Sequence, residues 1–162
     1  MKFNSNPPRS VIAKGLALAT LFSVMAVADA NPSADAVARL HAARSLRCTF
    51  TSEVTTWVRN GHRTVEQTAE HGSATYDNID VAKGTARMVA NAGAGDLTVW
   101  VERTLGSLWM LERTPSGNVV VTTVFPMHAE GTDEFVVLEA RHLIMGTIVL
   151  GQDTYGTCKV WQ

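Results

Sequence analysis

The sequence is short of the groups that usually announce an activity. There are only two cysteines, Cys48 and Cys158. No G-x-S-x-G, Walker A, H-E-x-x-H or C-x-x-C pattern occurs, so the common signatures of hydrolases, nucleotide-binding enzymes, zinc proteases and dithiol redox centres are missing. No run of lysines and arginines occurs either. The chain carries a net charge of −1, which leaves no electrostatic footprint for nucleic acid and little attraction to an anionic membrane surface. Asn31-Pro32-Ser33 is not a glycosylation acceptor, because proline stands in its middle.

Long apolar runs are also lacking, with one informative exception. Gly15 to Val27 is uncharged and follows the basic residues Lys2, Arg9 and Lys14. It is too short to span a bilayer as a helix. Ala28-Asp29-Ala30 then offers small residues at the −3 and −1 positions of a cleavage site. Residues 1–30 are therefore expected to be a signal peptide cleaved after Ala30, with Ala28 as the alternative. Its removal takes away Lys2, Arg9, Lys14 and Asp29 and moves the net charge from −1 to −3. The expected location is extracytoplasmic, periplasmic or secreted, with no stable membrane anchor. In such an oxidising compartment two cysteines normally pair, and Cys48 with Cys158 is the one internal pairing available.

What is abundant is β pattern. Residues 31–46 are expected to form a short helix or an N-terminal tail. Asn31 and Pro32 suit a helix start, and Val37 and Leu40 recur at helical spacing. From Leu46 to Arg59 the period becomes two, with Leu46, Cys48, Phe50, Ser52, Val54, Thr56 and Val58 on one face. Asn60-Gly61 then signals a hairpin, because both positions of such a turn need positive φ. Further strands are expected at His62–Thr68, Ser73–Ile79, Thr85–Ala90, Leu97–Arg103, Leu108–Arg113, Val119–Phe125, Phe135–His142 and Tyr155–Trp161. Asn91 to Asp96 reads as a loop, Pro126 as a strand end, and Ile144–Leu150 as a strand or a covered loop. On the third strand Ala74, Tyr76 and Asn78 are expected to share a face.

Short strands at this spacing with close connections indicate an all-β antiparallel meander, closed into a barrel or folded as a two-sheet sandwich. The cysteines favour closure. A disulfide needs its Cα atoms within about 7 Å, and an open meander would hold its first and last strands far apart. The expected domain is a small barrel over residues 47–162, lipocalin-like in general shape, with the β-sandwich as the alternative.

Candidate functional residues are few. The histidines His41, His62, His71, His128 and His142 show no metal-ligand spacing, so no metal or other cofactor is expected. Glu139-Ala140-Arg141-His142 is the most polar strand end. Alternation places Glu139 and Arg141 on one face with Phe135 and Val137, and His142 on the other. Arg141 could clamp an anionic group and His142 could move a proton. The plainer reading is a Glu–Arg pair at a barrel rim. Trp57 and Trp100 lie opposite the more apolar positions of their strands, where they would cover the outside or line a pocket.

The segment from Val119 onward carries an arginine-histidine pair after a strand, Arg141-His142, and ends in Q-x-x-Y-G-x-C at Gln152, Tyr155, Gly156 and Cys158. In this it resembles a set of small exported bacterial proteins without a characterised activity. The resemblance implies secretion and a disulfide clasp, and it carries no catalytic residues. Taken together, the residues indicate a non-enzymatic exported protein that binds a small ligand or a protein partner, with Trp57, Trp100, Arg141 and His142 as candidate contacts. Two other readings stand beside it. One is a hydrolase or isomerase using His142 with Glu139 or Glu102. The other is a structural or surface-interaction module.

Overall fold

The computed structural model describes residues 32–69, 72–90, 93–114 and 117–161. The expected signal peptide, Asn31 as a helix cap, and His71 lie outside them. A helix α1 (Ala34–Ala42) is followed by nine strands: β1 (Leu46–Arg59), β2 (His62–Ala69), β3 (Ser73–Asp80), β4 (Thr85–Ala90), β5 (Gly93–Val101), β6 (Leu108–Arg113), β7 (Val119–His128), β8 (Phe135–Met145) and β9 (Ile148–Val160).

All pairings are antiparallel. β1 is bound on one side by β9 along its whole length. On the other side β3 takes Leu46–Thr49 and β2 takes Ser52–Arg59. The ring β1-β3-β4-β5-β6-β7-β8-β9 therefore closes on itself as an eight-stranded barrel, and β2 stands outside it on the second half of β1. Closure leaves no sandwich of two sheets. Cys48 and Cys158 are register partners on β1 and β9, bridged at disulfide distance with Cα atoms 4.0 Å apart.

The core lies inside the ring, and α1 closes one end of it. Ser33 caps the helix by accepting the Ala36 N–H on its hydroxyl (3.1 Å). Leu40 is fully buried against the barrel floor. His41 Nε2 meets the Gly106 carbonyl at 2.8 Å, and Arg39 lies over the Phe135 ring and donates to the Asp133 carbonyl. Leu46, Ile79, Leu108, Val124 and Phe135 fill the interior above the helix.

Several local expectations are corrected. β1 does not keep one parity, because a bulge lies between Phe50 and Ser52. Leu46, Cys48 and Phe50 face inward before it, and Glu53, Thr55 and Trp57 face inward after it. Asn78 does not share the face of Ala74 and Tyr76. Its φ of 53° breaks the pleat, and Ile79 becomes the buried residue. Gly93 to Asp96 is strand rather than loop, because β4 supplies a full ladder to it. Pro126 does not end β7. It is buried at a register shift between Val124 and His128, where a missing N–H removes no ladder bond. The apolar Ile144–Leu150 segment forms the β8–β9 hairpin, with Ile144 and Val149 exposed. β9 begins at Ile148, earlier than the terminal strand expected from Tyr155.

Candidate functional site at the open end of the barrel

The end opposite α1 holds a cavity of about 500 Å³. Two kinds of wall make it. On β3, β4 and β5 the inward positions near the rim are small, namely Ala74, Ala90 and Gly93, with Met88 below them. On β1, β9, β8, β7 and β6 the inward positions are larger and mostly polar. Glu53, Thr154, Glu139 and Thr122 are register partners on four successive strands and form a belt around that side. The small residues leave space, and the belt gives it chemistry.

Glu139 anchors the belt and is only 1% exposed. A buried carboxylate is costly unless its lone pairs are met. Here Arg141 donates to Oε1 from Nε (2.7 Å) and Nη2 (2.5 Å). Thr122 and Tyr76 donate their hydroxyls to Oε2 at 3.3 and 3.2 Å. Burial pushes the Tyr76 phenol far above its ordinary range, and the Glu139 charge beside it pushes the same way. The phenol stays protonated and acts as a fixed donor. The Glu–Arg pair expected at a rim is thus an inward-facing pair within β8, tied to the floor by Tyr76 and open to solvent through the Arg141 side chain, which is 44% exposed.

Two more carboxylates enter the cavity. Glu53 comes from β1 just past the bulge and accepts the Thr55 hydroxyl at 2.6 Å. Glu112 comes from β6 and lies over Gly95, where an added Cβ would stand 2.5 Å from its Oε1. Among the described residues neither carboxylate meets a cationic side chain. β1 and β6 are opposite each other in the ring, four strands apart in either direction.

The four residues named from sequence divide evenly. Arg141 and Trp57 belong to the open end. Trp57 pairs with Leu150, which pairs with Leu143 on the rung above Arg141, and the indole borders a shallow recess with Thr64 and Glu66 on the β1–β2 hairpin. Trp100 lies on the outer wall against Trp109, with ring centroids 5.7 Å apart. His142 is exposed on the outer face of β8. Glu102 is at the closed end, where its carboxylate accepts the amides of Thr104 and Leu105, the Leu105 amide being the main reason its carboxyl is held below the usual range. His142, Glu139 and Glu102 therefore do not converge. Among the described residues no three His, Cys, Asp or Glu side chains gather into a metal-binding group.

Sequence reasoning missed Glu53, Glu112, Thr154 and Tyr76. Glu112 carried a signal, since Leu108, Met110 and Glu112 share one face of β6. Glu53 did not, because the bulge reverses the parity that would have been counted. No protein-family model, characterised protein or solved structure matches this chain.

Proposed function

We propose that the protein is an exported, non-enzymatic binding protein that holds a small ligand in the open end of its barrel. The observation that carries this reading is the cavity itself. It is closed below by α1, open above, and of a volume within the range of about 300–1,000 Å³ typical of ligand sites. Its walls combine apolar surface with a few fixed polar groups, the usual composition of a binding site. Export is supported by the leader pattern of residues 1–30 and by the Cys48–Cys158 bridge. Among the described residues no helix is long and apolar enough to cross a membrane. The outer wall carries exposed Arg47, Arg87, Asp96 and Lys159, which suits contact with water and not with lipid. A binding role suits the polar groups better than catalysis, because Tyr76 and Arg141 are both bonded to Glu139.

The test is fluorescence with protein purified from cells expressing the full chain. Trp57 lies on β1 beyond Glu53 and Thr55, beside a recess next to the open end, whereas Trp100 and Trp109 are on the outer wall. A bound ligand should change Trp57 emission, and Trp57→Phe should abolish the change. Ala90→Phe, which fills the mouth, should abolish binding while leaving the circular dichroism spectrum unaltered. Binding that survives Ala90→Phe would contradict the interior site.

A second observation favours a protein partner as the alternative. Trp100, Trp109, Thr123, Leu138 and Tyr155 are register partners along one outer belt of β5 to β9. Trp100 and Tyr155 are exposed, and among the described residues the buried Nε1 of Trp109 has no hydrogen-bond partner. Aromatic residues with a free polar handle are enriched at protein interfaces.

A further inference from the structure

We infer that the open end selects an organic cation, an ammonium or guanidinium group on a short apolar chain, with two-headed cations held best. This rests on the interior binding site proposed above and adds the chemistry of its occupant.

The cavity is lined by three carboxylates and one guanidinium: Glu53, Glu112, Glu139 and Arg141. Glu139 and Arg141 neutralise each other through two short contacts. Among the described residues Glu53 and Glu112 have no cationic side chain beside them. They enter from opposed strands of the ring, so their negative potentials add in the space between them. Low-dielectric walls focus such a field and draw a mobile cation inward. An anion would meet net repulsion here, and Arg141 is already engaged.

A separate observation points to a ligand at the same place. Thr154 is 5% exposed and lines the cavity on the rung between Glu53 and Glu139. Its hydroxyl makes no hydrogen bond among the described residues and keeps some contact with the cavity space. A hydroxyl in so enclosed a place is normally met by a polar partner. An N–H donor placed between Glu53 and Thr154 would satisfy both. The rest of the lining suits a hydrocarbon chain, since Phe50, Met88, Val120 and Leu143 are apolar and Ala74 and Ala90 leave room. An ammonium at Glu53 and a second at Glu112 would place the chain between them against these residues.

The experiment uses protein purified from cells expressing the full chain and a panel of matched probes: hexylamine, diaminohexane, hexanol, hexanediol and hexanoate. Titration calorimetry reads binding, and displacement of the neutral fluorophore phenylnaphthylamine reports the cavity independently of charge. Diaminohexane should bind tightest, hexylamine next, and both at least about tenfold tighter than the alcohols, the ratio expected of one charge-assisted hydrogen bond. Affinity should fall with added salt. Glu53→Gln and Glu112→Gln should each weaken diaminohexane about tenfold while leaving phenylnaphthylamine uptake unchanged. Because the probe ranking is read on the unmodified protein, the inference does not depend on those variants folding. Hexanol or hexanoate binding as tightly as hexylamine would overturn it, as would amines that fail to bind at millimolar concentration. If the fluorophore enters and is excluded by Ala90→Phe while the amines fail, the cavity is a binding site and only the cation preference falls. If neither fluorophore nor amines enter, both fall.

Discussion

Gly156 on β9 stands directly opposite Phe50 on β1, and a methyl group at Gly156 would lie 2.8 Å from the Phe50 Cα. The Thr49 carbonyl is closer still. Only glycine allows the two backbones to approach this way, and the bulge follows immediately on β1. The bulge is what turns Glu53, Thr55 and Trp57 toward the interior. The glycine of the terminal motif thus has a structural cause, and Gln152 of that motif lines the cavity as well.

Gly156→Ala should therefore be severe. The atoms in its way are backbone and cannot rotate aside. The expected loss is about 3 kcal/mol, at the upper end for overpacking, read as a lower urea midpoint with an unchanged slope. Gly95→Ala is the control. There the obstacle is the end of the Glu112 side chain, which can move, so the loss should stay near the cost of an ordinary surface change, about 0.5 kcal/mol.

The Glu139 network gives a graded pair. Tyr76→Phe removes one donor and leaves Thr122 and Arg141 in place, so the expected cost is about 1–2 kcal/mol. Arg141→Met removes the one cation that, among the described residues, pairs with the buried Glu139 carboxylate. Breaking a fully buried pair costs about 3–5 kcal/mol. Arg141 is nearly half exposed, so about 2–3 kcal/mol is expected here. Chemical unfolding of the two variants should rank Arg141→Met below Tyr76→Phe. The reverse order would mean that solvent already satisfies Glu139.

The Cys48–Cys158 bridge joins residues 110 apart in sequence. Chain entropy sets its contribution at about 4–5 kcal/mol, with measured bridges usually nearer 2–4. β1 and β9 remain paired along their length without it. Reduction should lower the melting temperature while leaving the strand-rich circular dichroism spectrum in place at 25 °C. Loss of that spectrum on reduction would show that the bridge, and not the ladder, closes the ring.

Acid sensitivity should concentrate at the closed end. Lys159 donates to Glu134 at 2.8 Å, Thr157 donates to its other oxygen, and together they hold the Glu134 carboxyl below its ordinary range. Asp80 is held low by Lys83, and Glu102 by its turn amides. A carboxyl lowered by folding contributes stability above its unfolded value of about 4, and that contribution is lost as pH falls through the folded value. Lys159 is raised, first by its hydrogen bond to Glu134. Its share is present below its unfolded value of about 10.4 and is lost as pH rises through the folded value. Melting temperature should thus fall below about pH 4, with Glu134→Gln falling less steeply, and should be flat near neutrality.

The barrel was legible because closure has a covalent mark. Two cysteines on the first and last strands, combined with alternation, suffice for the ring. The bounds of β1, β4 and β6 also follow from alternation and turn residues. The errors arose where a partner strand overrides local composition. Gly93 to Asp96 looks like a loop until β4 is beside it. Pro126 looks like a stop until the register shift around it is known. The site was less legible for the same reason. Arg141 and Trp57 could be named, because aromatic and bidentate groups stand out singly. Glu53 could not, because its orientation depends on a glycine about a hundred residues away in sequence. Trp100 and His142 stood out equally and lie on the outer wall.

The most direct measurement is a map of where a ligand lands. Backbone amide shifts of the isotopically labelled protein would be followed by nuclear magnetic resonance during titration with diaminohexane. The expected result is a cluster of shifts at Glu53, Ala74, Ala90, Glu112, Glu139 and Thr154, with Trp100, Trp109 and Tyr155 unmoved. Shifts confined to the outer belt of Trp100, Trp109, Leu138 and Tyr155, or none at all, would contradict an interior binding site.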